Sequence, residues 1–210
     1  NSASALQQRK KLKILAIGAS SAAVLGGGLR DGTPALLERV LEHAIKGLDV
    51  EIINRGFSGE LAAAASQRLK IEVALNEPDL VLWQGGTNDV LAQVPVEEFQ
   101  ETVTDMVQWL KERHVDVILV GLHYMKQMAK DQHYQAIRAS LRRIATLEGV
   151  LRIGRYEAME VLSRSQREGG RVDFGELALS EAGYNCMARY VARAIAVGLY
   201  AKPLKSAPVP

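Results

Sequence analysis

The sequence predicts a three-layer α/β/α domain: one parallel, five-stranded sheet with helices on both faces. Three observations carry that expectation. Short apolar runs, too brief for helices, alternate with longer amphipathic stretches. The runs are rich in Val, Ile and Leu without polar alternation, as in strands buried on both faces. Small polar residues collect directly after three of them, which is where ligands bind in open, doubly wound α/β sheets.

Leu12–Ile17 opens the sheet, preceded by Arg9-Lys10-Lys11, which reads as a solvated edge. Thr33 then caps a helix with Pro34 at its first position, an apolar face of Leu37, Val40, Leu41, Ala44 and Ile45, and Gly47 as its stop. Val50–Ile53 and Leu80–Trp83 are the second and third strands, with Trp83 in the core. A helix from Pro95 to Arg113 turns Phe99, Val103, Met106, Val107 and Leu110 inward and leaves Trp109 on its flank. Val115–Val120 and Val150–Ile153 complete the sheet. Ser180 caps a last helix with Met187, Val191, Ala194 and Ile195 inward and Cys186 as a small buried hydrophobe. Residues 1–11 read as an extension, 12–200 as a single domain and 201–210 as a tail.

Composition narrows the function classes. The chain has 210 residues, of which 48% are hydrophobic and 24% charged, enough for one substantial core. Its formal charge of +2 gives no basic surplus for nucleic acid. One cysteine excludes an intramolecular disulfide framework and any multi-thiolate zinc site. Every apolar run breaks at a charge before reaching membrane-spanning length. The small, polar opening Asn1-Ser2-Ala3-Ser4-Ala5 fits signal-peptide cleavage or an engineered boundary, so an exported or periplasmic location is slightly favoured over the cytoplasm. Composition carries no signal of oligomeric state.

The chemistry gathers at the strand ends. Gly18-Ala19-Ser20-Ser21 follows the first strand, Asn54-Arg55-Gly56-Phe57-Ser58-Gly59 the second, and Gly85-Gly86-Thr87-Asn88-Asp89 the third. Singly, each has an ordinary reading: a helix cap at Ser20, plain glycine turns, a local Asx-turn at Asn88. Three such clusters at three strand ends converge on one crevice. Nucleotide readings fail. Gly26-Gly27-Gly28 lacks the Gly-Lys-Ser/Thr of a P-loop, and Asp31 stands where a G-x-G-x-x-G fingerprint needs its last glycine. Ala22 breaks the G-x-S-x-G elbow of ordinary α/β-hydrolases.

Taken together, the clusters resemble the motif blocks of the SGNH or GDSL hydrolases, over nearly the whole chain from Leu12 to the last helix. Leu15 to Ser21 is similar to the first block, with Ser20 at the nucleophile position and Ala19 in place of the usual aspartate. Ser58-Gly59-Glu60 resembles the end of the second block and Gly86-Thr87-Asn88-Asp89 the third. Leu179-Ser180-Glu181-Ala182-Gly183-Tyr184 resembles the segment after the family's last catalytic pair. The resemblance implies a flavodoxin-like sheet of order 2-1-3-4-5 and acyl transfer without metal or organic cofactor. Ser20 N–H, Gly59 N–H and the Asn88 amide would form the oxyanion hole. Substrates would be small-molecule or glycan esters, such as acetylated carbohydrate or lipid esters.

The last block departs from the family. Its Asp-x-x-His pair falls on Gly175 and Ala178, and no histidine follows His133. Serine needs a neighbouring base to attack. His123, at the end of the fourth strand, is a candidate base or substrate contact, and Asp173 and Glu176 are candidate carboxylate bases. His43 and His114 read as surface groups near helix ends and His133 as a solvated one. Arg142-Arg143 reads as a solvated helix face. Two functions stay open: a serine ester hydrolase or acyltransferase, and a degenerate member that binds an acylated or glycan ligand without turnover.

Overall fold

The computed structural model of the protein describes residue 2 and residues 10–19, 36–158 and 181–200. Five strands, β1 (Lys11–Gly18), β2 (Asp49–Gly56), β3 (Leu80–Gln84), β4 (Asp116–Val120) and β5 (Leu151–Ile153), form one parallel sheet of order β2-β1-β3-β4-β5. Six helices are described: α1 (Leu36–Ala44), α2 (Ala62–Asn76), α3 (Thr87–Leu91), α4 (Val96–Glu112), α5 (Gln132–Glu148) and α6 (Glu181–Tyr200). The α/β/α expectation therefore holds, in the order the resemblance implied.

Side chains alternate across the sheet, so each strand feeds two cores. Leu15, Ile17, Val81, Trp83, Val117 and Leu119 pack under α2, α4 and α5. Leu12, Ile14, Leu80, Leu82, Ile118 and Val120 pack under α1 and α6. Full burial of each such side chain contributes roughly 1.5–3 kcal/mol, enough to fix the register.

Several boundaries differ from the sequence reading. β2 runs on to Gly56, because Asn54, Arg55 and Gly56 pair with Ala16, Ile17 and Gly18. Thr33, Pro34 and Ser180 lie outside the described residues, while α4 starts after Pro95 and ends before Arg113 as expected. The sequence reading set no limits for two long helices, α2 and α5, although it put Arg142-Arg143 on a helix face. In α2, Ile71 and Leu75 are exposed, which blurs the periodicity that marks a helix. In α5, Asp131 accepts the Tyr134 N–H at 2.7 Å and Gly149 closes the helix at φ 65°.

Cys186 is exposed, not buried. The buried face of α6 is Met187, Ala188, Val191, Ala192 and Ile195, and one residue of helical phase turns Cys186 to solvent. His133 is half-buried, with its Nε2 shielded and without a partner among the described residues. Trp83 is buried, Trp109 packs on the α4 flank beneath Arg113, and Arg142 and Arg143 are exposed. No described helix is long and apolar enough to cross a membrane.

Candidate active site

The parallel sheet brings the carboxyl ends of β1, β3 and β4 side by side, with β2 beyond β1. Gly18 ends β1 at φ +96°, and a Cβ there would lie 1.9 Å from the Gln84 carbonyl oxygen. Only glycine tolerates that approach. Its own carbonyl accepts the Phe57 N–H at 3.3 Å, tying the end of β1 to the turn after β2.

That turn is built locally. Asn54 Oδ1 accepts the Gly56 N–H at 2.9 Å, and the Glu60 N–H reaches the Phe57 carbonyl at 3.4 Å. Gly59 lies within it at φ +81°, with open space around the position of a Cβ. Glycine there supplies the left-handed backbone rather than relief from a clash.

Asn88, in the first turn of α3, donates from Nδ2 to the Glu60 carbonyl at 3.0 Å. One proton of the amide is thus held by the Glu60 carbonyl, one residue past Gly59, and the other has no acceptor among the described residues. Gly59 and Asn88 are brought together. Ser20, Asp173 and Glu176 lie outside the described residues, as do Gly175 and Ala178.

The sequence reading gave Asp89 no role, yet it fixes this corner. It is 1% exposed; its Oδ1 accepts the Ala62 N–H at 2.9 Å and its Oδ2 the Gly86 N–H at 3.1 Å. One carboxylate thereby joins the start of α2 to the start of α3. Burial pushes its pKa up, against the backbone hydrogen bonds that lower it. The position of Asp89 directly after Asn88 was the only sequence signal.

His123 does reach the rim after β4. Its N–H donates to Thr87 Oγ1 at 3.0 Å, and its carbonyl accepts from the Tyr134 hydroxyl. The ring meets the buried Arg155 guanidinium, Nη1 to Nε2, at 2.8 Å. Arginine can only donate, so Nε2 accepts and Nδ1 carries the proton. Burial, helped by that guanidinium, pushes the imidazole pKa down to about 3. A neutral ring whose free lone pair is already engaged is poorly disposed to take a serine proton.

A cavity of about 500 Å³ lies at the opposite, amino-terminal ends of β3, β4 and β5, lined by Leu80, His114, Asp116 and Leu151. It holds none of the motif residues. Among the described residues no cluster of three His, Cys, Asp or Glu side chains could hold a metal ion.

Known proteins resemble this chain in sequence and in fold. An esterase, TesA, of Pseudomonas aeruginosa is 31% identical over 116 residues, 55% of this chain and 57% of that protein. An arylesterase of Vibrio mimicus is 30% identical over 111 residues, 52% of this chain and 54% of its own. The matched stretch spans about half the length of these relatives. The crystal structure of a lipase/acylhydrolase from Enterococcus faecalis shares the fold, with a TM-score of 0.65 at 20% identity over 93% of this chain and 100% of that one. The non-GDSL lipase-like family matches residues 1–201, and a first block reading Gly18-Ala19-Ser20-Ser21 agrees with that description. The chain belongs to the non-GDSL lipase-like family and so to the SGNH/GDSL hydrolases.

Proposed function

We propose that the protein hydrolyses small acyl esters, or transfers their acyl group, with Ser20 as nucleophile and Gly59 N–H and the Asn88 amide as oxyanion donors. The observation that carries this reading is the Asn88 Nδ2 bond to the Glu60 carbonyl, which holds a neutral donor beside the Gly59 turn. Oxyanion donors act when they are fixed before charge develops, at about 2.7–3.1 Å from the oxyanion. Ser20 attacks the ester carbonyl, the alcohol leaves with a proton, and water then releases the acid. Phe57 and Leu91 are 67% and 60% exposed on the two segments that carry the donors, which favours an apolar acyl chain or alcohol. Lipid or acetylated carbohydrate esters are the substrate class.

A specific observation favours a second reading, ligand binding without turnover. Gly175 and Ala178 occupy the positions of the family's Asp and His, and the remaining rim histidine, His123, is held by Arg155. Hydrolysis of a short-chain nitrophenyl ester by the parent and by Ser20→Ala, followed across the pH range, separates the two. Turnover that disappears with Ser20 and drops by about 10²-fold in Asn88→Ala supports the hydrolase. Background rates in the parent, with ligand affinity intact in Ser20→Ala, support the binding protein.

A further inference from the structure

Arg68 lies in the second turn of α2, outside the motif blocks. Its guanidinium holds both ends of the turn after β2. Nε donates to Glu60 Oε1 at 2.8 Å, and Nη2 donates to Glu60 Oε2 at 2.8 Å and to the Arg55 carbonyl at 2.7 Å. Between residues 55 and 60 lie Gly56, Phe57, Ser58 and Gly59, so one planar group spans the segment that carries Gly59.

Solvated surface pairs contribute little, but this one is shielded. The Glu60 side chain is 6% exposed and that of Arg68 32%. A carboxylate so withdrawn from water needs a partner, and a two-point guanidinium fixes its orientation as well as its charge. The same helix holds Arg55 by its own side chain, which donates from Nε to Glu72 Oε2 at 2.9 Å. Asn76 Nδ2 donates to that oxygen at 2.9 Å. Arg68, Glu72 and Asn76 follow at intervals of four and so share one face of α2.

The residue that Arg68 holds is the one that Asn88 meets. Glu60 is fixed at its carboxylate by Arg68, and its carbonyl accepts the Asn88 Nδ2 proton at 3.0 Å. Asp89 joins the start of α2 to the start of α3. The contacts therefore form a closed circuit: α2 to the Gly59 turn, that turn to Asn88, and the helix of Asn88 back to α2.

We propose that Arg68 is a positioning residue: through Glu60 it sets the spacing between the Gly59 N–H and the Asn88 amide. This rests on those two groups as the oxyanion donors of the proposed hydrolase.

Arg68→Met and Arg68→Lys are compared with the parent in ester hydrolysis, thermal unfolding and NMR of the Asn88 side-chain amide, whose signals are identified by their loss in Asn88→Ala. Arg68→Met is expected to lose about 10-fold or more in kcat with KM within about twofold, because displaced donors fail the transition state rather than the bound substrate. The hydrogen-bonded Asn88 proton moves upfield and exchanges faster with water. Arg68→Lys falls between the two, since lysine keeps the charge but not the fork that reaches three acceptors.

A lower melting temperature in Arg68→Met with kcat and the Asn88 signals unchanged overturns the proposal, as does a loss of kcat with those signals unmoved. Arg68→Lys carries the comparison if Arg68→Met fails to fold, and its Asn88 signals decide in the same way. A parent without Ser20-dependent turnover ends the hydrolase reading, and the Asn88 amide then decides this one. Displaced signals in Arg68→Met uphold the positioning, and unchanged signals refute it.

Discussion

Replacing Asp89 tests the joint between α2 and α3 directly. Both carboxylate oxygens accept buried backbone N–H groups, at 2.9 Å from Ala62 and 3.1 Å from Gly86. Hydrogen bonds to charged groups contribute roughly 1.5–3 kcal/mol each, so Asp89→Ala forfeits on the order of 3–6 kcal/mol before compensation. Burial works the other way, since it pushes the carboxyl above its ordinary 3.8, and removing the group returns part of that cost. The expected net loss is about 2–4 kcal/mol for Asp89→Ala and about 1–2 kcal/mol for Asp89→Asn, which keeps one acceptor. Urea unfolding at constant m measures both.

The pH dependence has a defined sign. The folded protein binds the Asp89 proton more tightly than the unfolded chain does, so this group's contribution declines as pH rises from 3.8 through its raised folded value. The gap between the parent and Asp89→Asn is therefore wider near pH ~4 than near pH ~7. On the proposed hydrolase reading, in which Asn88 moves with α3, Ser20-dependent turnover falls along with stability. A gap under about 0.5 kcal/mol at both pH values, or one that widens toward neutrality, refutes the reasoning.

Gly18→Ala places a Cβ 1.9 Å from a backbone oxygen at φ +96° and is expected to cost about 3 kcal/mol or more in thermal unfolding. His123, pushed down to about 3, shows no ring titration by NMR between roughly pH 5 and 8. Its folded pKa lies below the ordinary 6.5, so its contribution to stability is lost as pH falls from 6.5 toward about 3. His123→Gln flattens stability over that window. Burial raises the Glu157 pKa, but hydrogen bonds from Arg152 and Arg142 outweigh it and bring the carboxyl to about 2. Its contribution is present above 4.5 and lost as pH falls from there toward about 2. With the carboxylate partly exposed, Glu157→Gln costs roughly 1–2 kcal/mol at neutral pH and little in strong acid, as urea titrations would measure.

Much of the fold was legible in the sequence. The Val/Ile/Leu runs located all five strands, and Pro95 marked the start of α4 to within a residue. These signals are local: a strand's apolar content or a helix cap is complete within a few residues. The reading failed where the local signal was weak or went unused. The alanine-rich α2 exposes Ile71 and Leu75, and the Asp131 and Gly149 stops that bound α5 went unused, although Arg142-Arg143 between them reads as a helix face. The phase of α6 put Cys186 outside by a single residue.

The site divides the same way. The residue types, their places after successive strands and the departure at Gly175 and Ala178 were readable from the chain alone. Which donor meets which acceptor was not. Asn88 meets a carbonyl 28 residues away, Asp89 an N–H 27 away and His123 a guanidinium 32 away. The sequence by itself determined the layers and the candidate chemistry, because propensity, capping and periodicity act over short stretches. Tertiary structure alone decided that Asp89 is a joint and that His123 is neutral and held by Arg155. Desolvation and hydrogen-bond pairing arise only when distant segments pack together, and no local pattern encodes them.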